Sequence, residues 1–342
     1  MTIALDDFLK LRSQLPVADV RSPKEFLDGH IPGVTNIPVL NNEERAAVGT
    51  DYKQKGKHEA IKTGFRLVGP RLEQIISEAQ KNSGGKEMLV HCWRGGMRSN
   101  NFCQFIGMAG VQSQQLTGGY KAYRQRALET FEYPFQLLVL GGKTGSGKSE
   151  ILRALQEKGE QVLDLEHLAN HKGSTFGGLM MGPQPTTEQF QNNLFEAILT
   201  LDSSKPIWVE DESLAIGRIF LPNPFWKTLR ESTLFRMEVP KEIRIERLVN
   251  EYGPADPREF LAAMEKITKR LGGQHFLAAK EKLLEGDMAS TIDILLTYYD
   301  RTYSDGLAKR DHLLPQTIPW NGTDAHACAQ ALVEVAGSTA TR

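Results

Sequence analysis

Cys92 stands in the run His91-Cys92-Trp93-Arg94-Gly95-Gly96-Met97-Arg98-Ser99, one thiol followed by two glycines and two arginines. A free thiol is only a few per cent ionised at neutral pH, and the thiolate is the reactive form. Set between a strand end and a helix start, with backbone N–H groups turned inward and arginines nearby, Cys92 is expected to have a lowered pKa. The same cradle suits a tetrahedral oxyanion. Trp93, Arg94, Gly95, Gly96 and Met97 would form its wall, and Arg98 would supply a bidentate fork. Phosphoryl transfer, chalcogen transfer and plain anion binding are all open to such a loop.

A second constellation lies downstream. Gly142-Lys143-Thr144-Gly145-Ser146-Gly147-Lys148-Ser149 matches the phosphate-loop pattern G-x-x-x-x-G-K-[ST] in full, after the apolar run "QLLVLGG" and ahead of the amphipathic "SEILRALQEKG". Its glycines allow an anion nest, the helix start adds positive potential, Lys148 would reach a terminal phosphate, and the Ser149 hydroxyl would ligate Mg²⁺ where that ion is used. A carboxylate at a strand end usually completes such a site. "PIWVEDES" offers Glu210 and Asp211, between which the sequence does not choose. Arg244 and Arg247, a turn apart in "KEIRIERLVNEY", are candidates to clamp a second phosphate or, equally, to pair with Glu242 and Glu246 on a surface.

Two patterns of alternating strand and helix position these loops. "PVADVRS" and "EMLVHC" read as buried strands, and "RLEQIISEAQK" and "NNFCQFIGMAG" as helices. The pattern restarts at "FQLLVLGG" and continues through "QVLDLEHL", "PIWVEDES" and "TLFRMEVP". Such alternation implies two parallel-sheet α/β domains, here residues 1–132 and 133–342, with the boundary near Pro134. From Lys241 to about Asp305 the chain reads as helical, with breaks at "YGPADP" and "LGGQ", and "VEVAGSTATR" reads as a small polar tail.

Composition sets the bounds. The 342 residues carry a net charge of -1 and are 40% hydrophobic and 24% charged, with a mean hydropathy of -0.36. Two ordinary domains fit that length. No apolar run approaches the roughly 20 residues of a membrane span, and "MTIALDDFLKLRSQLP" lacks the pattern of a secretory signal, so a cytoplasmic chain is expected. Three cysteines without zinc-ligand spacing argue for reduced thiols and no structural metal; Cys103 and Cys328 read as core thiols. Residues 1–135 hold 18 Lys/Arg against 14 Asp/Glu. Much of that excess lies in 51–71, where Lys53, Lys55, Lys57, Lys62, Arg66 and Arg71 form either a solvated face or a polyanion surface. Lys266, Lys269 and Arg270 are a second basic candidate.

The His-Cys-x5-Arg spacing is that of tyrosine-phosphatase-like loops, one residue longer than in simple rhodaneses, which leaves room for a phosphate-sized group. "DVRSPKEFLDGHIPGVTNIPV" resembles the opening signature of a rhodanese domain and "LTGGYKAYR" its closing one. This resemblance implies scaffold roles for Asp19, Arg21 and His30. A rhodanese domain fused to a phosphate-loop domain, with "DLEHLANHKGSTFGG", "PIWVEDES" and "LLTYYDRTY", resembles the bacterial tRNA 2-selenouridine synthases over nearly the whole chain. The resemblance implies action on the wobble uridine, position 34, of tRNAs for Lys, Glu and Gln that already carry sulfur at C2. It implies exchange of that sulfur for selenium from selenophosphate by way of an S-geranyl intermediate made from geranyl diphosphate, with no tightly bound cofactor. An enzyme that supplies selenophosphate would be a further partner. A rhodanese-type tRNA sulfurtransferase, a phosphatase fused to a small-molecule kinase, and a non-catalytic nucleotide-binding regulator remain the rival readings.

Overall fold

Short runs of wholly buried residues build both sheets. Val17–Asp19 and Met88–His91 in the first, and Ile207–Glu210 in the second, are buried along their whole length, as strands covered on both faces must be. The computed structural model describes residues 1–308, 310 and 315–340. The chain forms two compact units, Met1–Thr130 with Gln191–Asn193, and Phe131–Phe190 with Leu194–Arg342. No helix among the described residues is long and apolar enough to cross a membrane.

The first unit holds five parallel strands, β1 (Thr2–Ile3), β2 (Val17–Asp19), β3 (Thr35–Asn36), β4 (Met88–His91) and β5 (Ser113–Leu116), in the order β1-β5-β4-β2-β3. The chain leaves β2 toward one edge and β4 toward the other, so the carboxyl ends of these neighbours form a crevice. Cys92 follows β4 directly. On one side the core packs Val90, Phe102 and Ile106 with Ile75 and Ala79. The basic stretch, readable from sequence only as a charged face, is two helices, Asn42–Lys55 and Lys57–Val68. They break at Gly56, whose φ of 87° suits glycine. Asn41 and Glu44 close a capping box at the first.

The second unit has β6 (Leu137–Gly142), β7 (Val162–Leu163), β8 (Ile207–Glu210), a small hairpin of β9 (Ala215–Ile216) and β10 (Ile219–Phe220), then β11 (Thr233–Glu238) and β12 (Gln316–Pro319). Its parallel sheet runs β12-β11-β6-β8-β7. β6 is central and its two neighbours come from later in the chain, again placing its carboxyl end in a crevice. The helical part follows as Lys241–Tyr252, Pro257–Glu265, Thr268–Leu271, Gly273–Leu284 and Met288–Ala308, with its own core around Phe260, Met264, Leu283 and Leu296. One expectation needs correction: most of "VEVAGSTATR" is not a tail, because the last helix runs Ala325–Ala340. Ala329 and Leu332 on its apolar face are buried against the sheet cluster of Trp208 and Phe235. Residues 341 and 342 lie outside the described residues.

Candidate active sites

The Cys92 loop is shaped by a segment more than twenty residues further on. Tyr120 N–H donates to the Cys92 carbonyl at 2.8 Å and Lys121 N–H to that of Trp93 at 2.9 Å. Gly119 sits at φ 60°, and a Cβ there would lie 2.4 Å from the Cys92 oxygen and 2.5 Å from the Gly95 nitrogen. Only glycine permits that crossing. Helix Met97–Met108 starts at Gly96, and its first N–H groups face the sulfur.

Cys92 is 3% exposed. Gly96 N–H donates to Sγ at 3.3 Å and the Ser99 hydroxyl at 3.1 Å. Burial alone would raise the thiol's pKa, but these donors, with the N–H groups of Ser99 and Arg94, outweigh it and hold the pKa below the ordinary value. Cys103, where burial dominates, shifts the other way, and burial pushes Cys328 up to about 11. Arg98 meets Glu25 with both terminal nitrogens, at 2.5 and 3.1 Å. Glu25 is also the third helical residue of the capping box opened by Ser22, so one carboxylate fixes a helix start and orients the loop's arginine. Burial opposes ionisation of Glu25, yet Arg98, the Ser22 N–H and Arg45 keep its pKa low. Arg21 grips Asp19 with Nε and Nη2 at 2.7 to 3.0 Å and stacks over Tyr120 at 3.8 Å. Asp19 is likewise held ionised, burial being outweighed by His91 and Arg21. His30 bonds the Phe26 carbonyl at 2.9 Å and stacks on that ring, a scaffold position.

In the second unit the loop Gly142–Ser149 joins β6 to helix Lys148–Glu157, with Gly145 and Gly147 at φ 80° and 77°. It floors a cavity of about 880 Å³ that also touches Arg153, Arg230, Arg270 and Arg310 and the rings of Tyr252, Tyr298, Tyr299 and Tyr303. The Lys143 ammonium lies 3.6 Å from Asp300. Arg244 is buried and bidentate on Asp300 at 2.8 Å, and it donates to the Thr144 carbonyl at 3.3 Å; it buttresses the loop. Arg247 pairs with Glu150 and lies over Trp320 at 4.7 Å. Neither arginine pairs with Glu242 or Glu246 as the surface alternative supposed.

The acids sort by direction. Asp211 is taken by Arg310 at 2.8 Å and Arg230 at 3.6 Å. Glu210 is buried beneath the site, accepting from Leu165 N–H at 3.0 Å, and burial followed by repulsion from Asp164 and Glu166 raises its pKa well above the usual range. The carboxylates beside the loop are two the motif did not name. Glu166 accepts from the Ser149 hydroxyl at 3.0 Å, and Glu212 is raised to about 8 by burial and by Glu166, against the pull of Lys148. Burial disfavours the Lys148 ammonium, but Glu166, Glu212, Glu210 and Asp211 win and raise its pKa. Gly173 covers the pair, since a Cβ there would lie 2.7 Å from Glu212 and 3.0 Å from Glu166.

Residues 135–326 match the family model described as the tRNA 2-selenouridine synthase AAA domain, and residues 4–126 match the rhodanese-like domain. A tRNA 2-selenouridine synthase of Bdellovibrio bacteriovorus is 40% identical, covering 91% of this chain and 93% of that protein. One from Nitrosomonas europaea is 33% identical over 90% and 93%, and one from Shewanella piezotolerans 37% identical over 88% and 91%. The chain belongs to the tRNA 2-selenouridine synthase family. A solved structure, the N-terminal domain of a putative ATP/GTP binding protein from Clostridium difficile 630, is 39% identical over 37% of this chain and 99% of its own, with a TM-score of 0.34.

Within this family member the sequence already held a sign of the missed acids. Glu166 lies in "DLEHLANHKGSTFGG" and Glu212 is the third acid of "EDE". β8 ends at Glu210, so the chain turns before Glu212, and strand alternation gives no guide to where that side chain goes. Among the described residues no group of three or more His, Cys, Asp or Glu side chains is placed to hold a metal. Mg²⁺ needs less protein than that, since one or two carboxylates plus substrate phosphates suffice. The Ser149 hydroxyl and Glu166 are oxygen donors in contact at the mouth of the nest and fit that requirement. When bound, such an ion would neutralise charge on a phosphate group in the nest.

Proposed function

We propose that this chain converts wobble 2-thiouridine of tRNA into 2-selenouridine in two steps, each served by one loop. In the first, the thiocarbonyl sulfur attacks C1 of geranyl diphosphate; a C–O bond breaks, a C–S bond forms, and diphosphate leaves. Support comes from the Gly142–Ser149 nest, its charged Lys148 and a cavity that joins cationic side chains to tyrosine rings, a lining matched to a diphosphate on an apolar chain. Lys148 would stabilise the developing charge.

In the second step selenium replaces the alkylated sulfur. Selenium in selenophosphate is already at the selenide level, so the redox-neutral course is attack of the Cys92 thiolate on phosphorus. The P–Se bond breaks, an S–P bond forms, and selenide leaves to attack C2. The neutral thioether sulfur then departs as a thiol, and water cleaves the phosphocysteine. The observation that carries this reading is the pairing of a lowered Cys92 pKa with carboxylates that hold no proton. Asp19 is held ionised by His91 and Arg21, and Glu25 by Arg98, which is wrong for a phosphatase acting on aryl esters, where an acid must protonate the leaving group. Selenide leaves without one. Arg98, held by Glu25, would bind the phosphoryl oxygens. The tRNAs for Lys, Glu and Gln are the proposed acceptors, and an enzyme making selenophosphate the proposed supplier.

The test gives the protein thiolated tRNA with geranyl diphosphate and then selenophosphate, and weighs the nucleosides by mass spectrometry. S-geranyl-2-thiouridine followed by 2-selenouridine is expected. Cys92→Ser should stop at the geranyl product; 2-selenouridine formed at the normal rate by that variant would overturn the role given to Cys92.

A further inference from the structure

We propose that an apolar pocket beside the Cys92 loop seats the hydrocarbon chain of the S-alkylated uridine while its C2 meets the loop. The proposal rests on the two-step reading above and locates the alkyl group in the second step. The pocket has a volume of about 160 Å³ and is walled by Val48, Ala60, Ile61, Phe65 and Phe105, with Met97 and Arg98 coming from the Cys92 loop itself.

Three observations fix the kind of occupant. The lining is mostly aliphatic and aromatic, with Lys57, Arg98 and Asn101 as its polar members, and Tyr52, Phe65 and Met97 are 61%, 55% and 45% exposed around the one pocket; single exposed apolar residues are ordinary, whereas a cluster of them marks a binding surface. A dry cavity of this size accepts a guest about as large as benzene, which is one five-carbon branched unit, leaving a second unit to lie along Tyr52 and Phe65. The helices that form the walls, Asn42–Lys55 and Lys57–Val68, also carry Lys53, Lys57 and Arg66. A short apolar chain borne on a polyanion, with its reacting atom at the thiol, meets all three conditions. Seating the chain would hold the departing sulfur in place and spend binding energy remote from C2 on orientation.

The full-length protein would be given tRNA carrying S-methyl, S-dimethylallyl or S-geranyl-2-thiouridine together with selenophosphate, and kcat and KM for 2-selenouridine measured. The wild type should prefer the geranyl over the methyl substrate by about tenfold or more in kcat/KM, the worth of a few buried methylene groups. Gly64→Leu fills the pocket from a helix position where an added Cβ meets only Val48 Cγ2 at 4.0 Å. It should erase the preference while the methyl substrate still reacts at close to its wild-type rate. Phe65→Ser, at an exposed position, should lower the geranyl preference several-fold without touching the core. If the geranyl preference survives in both variants, the pocket proposal is overturned and the two-step reading stands. If the wild type makes 2-selenouridine from unalkylated thiolated tRNA but from none of the alkylated substrates, the two-step reading falls and takes the proposal with it.

Discussion

Ser99 is the side chain on which the acidity of Cys92 turns. Its hydroxyl donates to the sulfur, and hydrogen bonding to the charged form lowers a pKa. Ser99→Ala should therefore raise the thiol's pKa, and the pH profile of alkylation by iodoacetamide should move toward alkaline pH. Glu212 tests the other site. Its folded pKa of about 8 stands above its ordinary 4.5, so between those values the folded chain keeps a proton that the unfolded chain has lost. Stability should fall as pH rises through that window, by up to about 1.4 kcal/mol per unit for this group, and level off above it. Glu212→Gln should flatten that slope in thermal melts, gaining most over the wild type at pH 8 and little at pH 4.5. The sequence named Cys92, Lys148 and Ser149 because loops that make chemistry from local backbone leave a local pattern. Glu166, Glu212 and Glu25 were visible as acids but not as members of a site, since each reaches its partner there across a fold; Arg98 and Glu25 are 73 positions apart.

At the level of elements, the sequence showed where strands alternate with helices and where both loops begin. It hid the short strands at sheet edges, β1, β3 and β12, whose few residues carry too little pattern to separate from loop. "LTGGYKAYR" was legible as a family signature, but its physical task is visible only in the fold, where Gly118–Lys121 clamps the Cys92 loop by backbone hydrogen bonds. Gly119→Ala should be severe, because it combines an unfavourable φ with a Cβ pressed on backbone. A loss of about 2 kcal/mol or more is expected, read as a lower melting temperature, together with slower alkylation of Cys92. In the second unit, Lys148→Ala should leave the helix it begins intact and abolish S-geranyl product, while presynthesised S-geranyl tRNA is still selenated by the Cys92 loop.

Taken whole, the chain is nearly neutral at -1, so attraction of a polyanion must come from local patches. The 51–71 stretch is less basic than its composition suggests: Lys55 pairs with Asp51, Lys62 with Glu59 and Arg71 with Glu44. Reversing Lys53 and Lys57 to Glu should weaken tRNA binding and reduce the slope of log K against log salt by about 2, near one for each phosphate left without its lysine; measurement by filter binding across a salt series decides it. Division into two α/β units could be read from the restart of the strand pattern alone.

The clamp on the Cys92 loop bears on when the thiol becomes reactive. Its acidity depends on Gly96 and Ser99 as donors, which belong to a loop held by backbone bonds from Tyr120 and Lys121, a later stretch of the chain. A chain in which that stretch has not docked is expected to carry a cysteine closer to an ordinary thiol, the lowered pKa following completion of the first unit. The pH profile of alkylation should then report native structure, an unfolded chain in denaturant showing the profile of an ordinary thiol.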